Sequence, residues 1–255
     1  KGLYRNWYDL PYIDFEKPWW STSNREDLTI NDRCYLAMGD FALTTISKTY
    51  CMFYDKDALK KYPEEADLYN VVKDGKWTLD YLRALCERVY IDRDGDSVES
   101  DGDYYGLYSD QQSNYNTYLW SCDNPVFKKD ASGELVYSYY SEHLVNVYNK
   151  CYELFNNTIG ARSEMDHSIG MSRFAEYKSL TCNALIGGAI THLAEYDNEY
   201  GIIPYPKYDE AQKEYKAMVD GSHEAMAVGK QAADLEYIGT MTEALCAESY
   251  KQVVP

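Results

Sequence analysis

The residues best placed for chemistry in this chain are four aspartates, Asp92, Asp94, Asp96 and Asp103. They lie in the stretch Asp92-Arg-Asp-Gly-Asp-Ser-Val-Glu-Ser-Asp-Gly-Asp103. Read as a twelve-residue loop, this puts carboxylates at positions 1, 3, 5 and 12, the spacing at which an EF-hand offers hard oxygen ligands to calcium. The loop departs from that pattern at position 6, where Ser97 replaces the turn-forming glycine, and at position 12, where Asp103 is shorter than the usual glutamate. The alternative reading is a solvated acidic loop between a helix and a strand, and a calcium ion here would be structural. The histidines, His143, His167, His192 and His223, lack ligand spacing. The cysteines (Cys34, Cys51, Cys86, Cys122, Cys151, Cys182 and Cys246) are scattered, odd in number and free of C-x-x-C spacing, which argues against zinc and against a disulfide framework.

Bond-making chemistry finds little support. The chain has no G-x-S-x-G elbow, H-E-x-x-H, P-loop or G-x-G-x-x-G. It holds 42 acidic residues, yet no two are marked as the carboxylate pair that glycoside cleavage requires. A protein that is not an enzyme and has no cofactor is expected, with a secreted carbohydrate-active enzyme as the alternative. The net charge of −17 argues against nucleic acid and against anionic lipid. No run approaches the roughly 18 apolar residues of a membrane span. What the composition does offer is 28 tyrosines, an amphipathic supply suited to gripping polar, ring-shaped ligands even if most serve as packing.

The elements that would position such residues can be read in outline. Tyr200-Gly-Ile-Ile203 suits a short buried strand, and Pro204 and Pro206 stop it, holding Tyr205 on a stiff stalk at the strand end. Open α/β sheets place ligands at such ends. Thr78 caps an amphipathic helix that carries Leu79, Leu82, Leu85, Cys86 and Val89, and Trp77 anchors its start. Residues 41–54, rich in β-branched and aromatic side chains, read as extended, and residues 31–40 as a strand and turn. Residues 114–122 read as an aromatic helix with Tyr115, Tyr118 and Trp120. A hairpin follows at 126–139, turning at Asp130-Ala-Ser-Gly133, then a helix capped by Ser141. A short helix is expected near 171–177, a buried strand over 180–186 leading to Gly187-Gly188, and a return strand over 218–228. The last helix, starting at Asp234, would bury Leu235, Ile238, Met241 and Leu245. Trp19-Trp20 reads as a hydrophobic plug in preference to a sugar platform.

Three stretches resemble one family. Tyr200-Gly-Ile-Ile-Pro-Tyr-Pro-Lys-Tyr-Asp-Glu-Ala-Gln-Lys-Glu-Tyr215 is similar to the "fGilPyPKyDeaQ" signature of family 1 extracellular solute-binding proteins of ABC importers, in the form common among gut Firmicutes. Leu68-Tyr-Asn-Val-Val-Lys-Asp-Gly-Lys-Trp-Thr-Leu-Asp80 looks like that family's "lYelVkdGkWTlD", and Leu10-Pro-Tyr-Ile-Asp-Phe-Glu-Lys-Pro-Trp-Trp20 its "lpyidlskPWW". The resemblance runs over nearly the whole chain and implies that both ends of the family's protein are missing from it. It implies an α/β fold: a periplasmic-binding-protein-like type II lobe, with a central mixed sheet, helices on both faces, and part of a second lobe. Residues 1–45 would be a partial N-terminal lobe segment and crossover, 46–225 the C-terminal lobe, and 226–255 the return into the N-terminal lobe. It further implies capture of a small solute, an oligosaccharide before any other, in a hinged interlobe cleft. Lys48, Tyr50, Tyr115, Tyr118, His192, Tyr205, His223 and Glu224 would touch the ligand. An ABC permease is the implied partner, the protein a monomer, and its place the cell surface as an extracellular lipoprotein. A calcium-stabilised surface interaction module stands as a further alternative.

Overall fold

The computed structural model describes residues 2–166 and 169–253, with residues 111–114 described by their backbone alone; His167 lies outside the described residues. A 3-10 turn (Trp7–Asp9) and α1 (Thr22–Leu28) lead into a hairpin of β1 (Thr29–Ile30) and β2 (Arg33–Cys34). After α2 (Thr44–Ser47) come β3 (Tyr50–Asp55), α3 (Lys56–Leu59), α4 (Leu68–Lys73) and α5 (Leu79–Val89). β4 (Tyr105–Asp110) runs into α6 (Gln111–Ser121), and β5 (Phe127–Lys129) and β6 (Leu135–Tyr137) form a second hairpin. Then follow α7 (Glu142–Asn156), β7 (Ala161–Glu164), α8 (Ile169–Ala175), β8 (Ser179–Leu185), α9 (Gly188–His192), β9 (Tyr200–Ile203) and α10 (Leu235–Val253).

The chain groups into two compact units. The larger comprises Ile46–Val126 and Ser138–Asp220; the smaller comprises Lys1–Thr45, Phe127–Tyr137 and Gly221–Pro255. The larger unit is built on a five-stranded sheet in the order β7-β4-β8-β3-β9. β4 runs parallel to β7 and β8, whereas β3 is antiparallel to β8 and β9, so the sheet is mixed. β3 reads as an unbroken apolar run because both of its faces are covered. Met52 and Tyr54 pack into one core with Leu82, Leu85, Tyr118 and Leu154. Cys51 and Phe53 pack into another with Met171 and Phe174. Gly106 sits against the backbone of Cys86 in α5, an approach that leaves no room for a side chain. Thr78 and Ser141 cap their helices, accepting from the amides of Tyr81 and Leu144.

The smaller unit closes around Trp7, Leu10, Trp20, Cys34, Ala37, Val228 and Cys246. Glu243 of α10 accepts from the indole N–H groups of both Trp19 and Trp20, each at 3.0 Å, so the tryptophan pair is a plug fixed by one carboxylate. Leu235 and Ile238 of α10 pack against this core as expected, but the rest of the helix's buried face is another one. Gly239, Thr242 and Cys246 are buried, while Met241 and Leu245 stand half exposed. Gly239 presses on the carbonyl of Pro11, and that close approach sets the rotation of the helix.

Two expected strands are shorter than their composition implies. Over 41–49 the backbone turns locally, with Ala42 N bonding Gly39 O and Thr45 N bonding Ala42 O, and regular pairing begins only at Tyr50. Residues 218–228 make isolated bridges, Val219 with Thr49 and Met226 with Ala37. β-Branched residues fit strands only where a neighbour offers a ladder. Within 31–40, Asn31 and Asp32 both take left-handed φ values, 50° and 57°, as the two-residue turn joining β1 and β2.

Candidate functional site

The direction of the strands gathers several candidate residues at one edge of the larger unit's sheet. β4, β7, β8 and β9 all end there, at Asp110, Glu164, Leu185 and Ile203, and β3 begins there at Tyr50, opposite Leu185. This carboxyl edge is where sheets of this class receive ligands. The strand leading into β3 is held from two sides. Ile186 N and Gly187 N bond Thr49 O and Ser47 O, each at 2.9 Å, and on the other side Asp220 N bonds Lys48 O at 2.8 Å and Tyr50 N bonds Met218 O at 2.9 Å. Tyr50 donates its hydroxyl to Asp220 Oδ2 at 3.0 Å. A Cβ on Gly187 would lie 3.0 Å from Ser47 O, which only glycine accommodates without displacement.

Lys48 and Tyr50 are thus at this edge, both half-buried, and the Lys48 ammonium makes no ion pair among the described residues. Asp220 joins them, a residue not foreseen from sequence because it belonged to no motif. Exposed apolar side chains adjoin the same strand ends: Ile46 is 48% exposed, Met165 after β7 69%, and Ile190 in α9 80%. Apolar groups left in water beside polar acceptors suit a ligand with C–H faces and hydroxyl rims. His192 is half-buried at the last position of α9, after the exposed Ile190. His223 and Glu224 belong to the smaller unit. Glu224 is clipped to Thr44, its amide donating to Thr44 Oγ1 at 3.1 Å and its carboxylate accepting from that hydroxyl at 3.2 Å.

Of three tyrosines expected to face the ligand, two are buried and the third is half-buried among other rings. Tyr205 is 1% exposed, its ring edge-on to Tyr118 with centroids 4.9 Å apart. Tyr118 is fully buried, accepts from Asn183 Nδ2 at 3.1 Å, and burial pushes its hydroxyl pKa well up. Tyr115 packs between α6 and α7, stacked on Tyr148 at 5.9 Å and tilted against Phe155 at 5.8 Å. The cause lies in the segment after β9. Trp77 Nε1 donates to Pro204 O at 2.9 Å, Lys207 N to Trp77 O at 3.0 Å, and Leu79 N to Lys207 O at 2.9 Å. Lys207 is buried with its Nζ donating to Gln212 O at 2.7 Å, and Gln212 Nε2 donates in turn to Ser121 O at 2.7 Å. The Pro-Tyr-Pro-Lys-Tyr-Asp-Glu-Ala-Gln run is therefore a lock that ties the start of α5 to the end of α6. Its signal in sequence was the polar pair Lys207 and Gln212, which a stalk presenting a ring would not need. Trp120 lies beside this lock and donates its indole N–H to Ala217 O at 3.0 Å.

The acidic loop divides in two. Asp92, Asp94 and Asp96 each bring a carboxylate oxygen within 4.8 Å of the others. Ser97 supplies the turn expected of glycine by taking φ +63°, and its amide donates to Asp92 Oδ2 at 2.9 Å. Asp103 does not join them. It is buried and accepts from Ser100 N at 2.8 Å, Arg93 N at 3.0 Å and Tyr90 OH at 2.9 Å. These donors, the Ser100 amide foremost, hold its carboxyl below the ordinary value of 3.8. A carboxylate so fully engaged closes the loop and is not spare for an ion. The seven cysteines are all free and buried, and burial pushes the Cys51 thiol up to about 12.

No family model and no curated protein sequence matches the chain. Solved structures do. The GacH receptor of Streptomyces glaucescens GLA.O, solved unliganded and in complex with acarbose, aligns with a TM-score of 0.61 at 12% identity, over 99% of this chain and 60% of its own. UspC of M. tuberculosis aligns with a TM-score of 0.62 at 15% identity, over 96% of this chain and 59% of its own. The chain thus spans about three fifths of the length of the structures it matches. At these identities the likeness is one of fold: a mixed sheet flanked by helices.

Proposed function

We propose that this protein captures a small neutral solute, an oligosaccharide or a molecule shaped like one, and hands it to an ABC importer without altering it. The observation that carries the reading is the convergence of strand ends, Lys48, Tyr50 and Asp220 on one edge of a sheet whose fold is shared with a receptor solved in complex with acarbose. Carboxylate and hydroxyl acceptors at that edge match sugar hydroxyls, and Ile46, Met165 and Ile190 match the apolar faces of sugar rings. Capture also fits the absence of any catalytic motif from the sequence. On this reading the protein is an extracellular, lipid-anchored monomer whose other partner is the permease. No helix among the described residues is long and apolar enough to cross a membrane. Thermal melting against a panel of neutral, acidic and phosphorylated oligosaccharides tests it. At a sugar concentration of about one hundred times Kd, a neutral member should stabilise the fold by about 2.7 kcal/mol. A panel that leaves the melt unmoved, or sugars recovered cleaved, would refute the reading.

A further inference from the structure

β7 is an outer strand of the larger unit's sheet, and it ends on the same edge as the residues gathered around Tyr50. Its last residue, Glu164, keeps one carboxylate oxygen engaged and one spare. Arg162 Nε donates to Glu164 Oε1 at 3.0 Å, and the Tyr108 hydroxyl donates to the same oxygen. Arg162 is itself fixed, because Nη2 donates to Asp101 Oδ1 at 2.6 Å and Nη1 to Tyr105 OH at 3.1 Å. Its guanidinium also lies over the rings of Tyr105 and Tyr108, 5.7 and 5.8 Å from their centroids. Glu164 Oε2 has no partner among the described residues, and the side chain is 33% exposed. An acceptor aimed before its ligand arrives loses little freedom on binding.

The sheet order sets how far this acceptor lies from Tyr50. β4 and β8 intervene between β7 and β3, so three strand spacings, about 14 Å, separate the two. The exposed apolar side chains follow the same order along the edge: Met165 directly after β7, Ile190 in the helix after β8, and Ile46 ahead of β3. A disaccharide falls short of that span. A linear trisaccharide covers it, with an apolar landing for each ring.

We propose that Glu164 sets the length of the solute: its spare oxygen accepts a hydroxyl from the far ring of a linear chain of at least three sugar rings, whose near ring lies at Tyr50. The inference rests on the capture reading given above and narrows it from any oligosaccharide to a minimum length. Titration calorimetry of the full chain with malto-, cello- and manno-oligosaccharides of two, three and four rings tests it. In a series that binds, three rings should bind at least about tenfold tighter than two, the worth of one hydrogen bond to a charged group. Glu164→Gln should weaken the three-ring sugar at least about tenfold and the two-ring sugar less than about twofold, because two rings seat at Tyr50 and do not reach β7. Met165→Ala trims only an exposed side chain, so it serves where Glu164→Gln disturbs Arg162; it should weaken three rings at least about threefold and spare two. Melting without sugar shows whether either variant has altered the fold. Equal affinity for two and three rings, or losses on Glu164→Gln and Met165→Ala that are the same at both lengths, would overturn the inference and leave capture standing. No binding in any series would refute capture, and the inference with it.

Discussion

Glu243 shows how much of the smaller unit depends on single side chains. One carboxylate satisfies two indole N–H groups, so its loss leaves two polar atoms in a largely apolar setting. Glu243→Ala should cost about 1–3 kcal/mol in chemical denaturation, and Glu243→Gln, which keeps an acceptor, less. Asp103 makes a second expectation, this time in pH. Its folded-state pKa is lowered, so its contribution to stability is complete above the ordinary value of 3.8 and is lost as pH falls through the lowered one. Melting temperature should therefore drop over that acid range in the wild type, and Asp103→Asn should flatten that part of the profile. The buried tyrosines divide by hydroxyl. Tyr205 OH has no partner among the described residues, whereas Tyr118 OH is bonded to Asn183. Tyr205→Phe should be neutral or stabilising, and Tyr118→Phe should cost about 1 kcal/mol in the same denaturation assay.

The elements were legible where the signal was local. Thr78 and Ser141 announced their helices by cap chemistry, and the Asp130–Gly133 turn announced its hairpin. Tyr200–Ile203 read as a strand because two prolines cannot continue one. What failed was the inference from an element to the direction its side chains face. Tyr118 and Tyr205 are aromatic residues near strand ends, and nothing in their own sequence separates a ring aimed at solvent from one packed under a lock made by Trp77 and Gln212. The rotation of α10 was hidden in the same way, since it turns on a contact between Gly239 and Pro11, residues far apart in the chain. The strand read over 41–54 shows the remaining limit. Composition measured strand preference, but the partner that would have realised it begins only opposite Tyr50.

At the scale of the whole molecule, the fold was legible through three long motifs, and the solved structures agree with it. Of the residues expected at the site, Lys48 and Tyr50 lie at the sheet edge where β3 begins. Asp220 had no signal in the sequence because it reaches that edge through its contact with Tyr50, 170 residues away in the chain, and not through any pattern around itself. The membership of Phe127–Tyr137 in the smaller unit had no signal in the sequence, because it follows from contacts with segments about one hundred residues away in the chain, such as Glu26. The central claim is that the sheet edge beginning at Tyr50 binds a neutral oligosaccharide and leaves it intact. Titration calorimetry of the full chain with acarbose and with linear maltooligosaccharides, followed by recovery of the sugar, tests this most directly. One-to-one binding of an uncut sugar, weakened at least about tenfold by Tyr50→Ala, is the expected result; no heat from any of these sugars, or an affinity that Tyr50→Ala leaves unchanged, would contradict it.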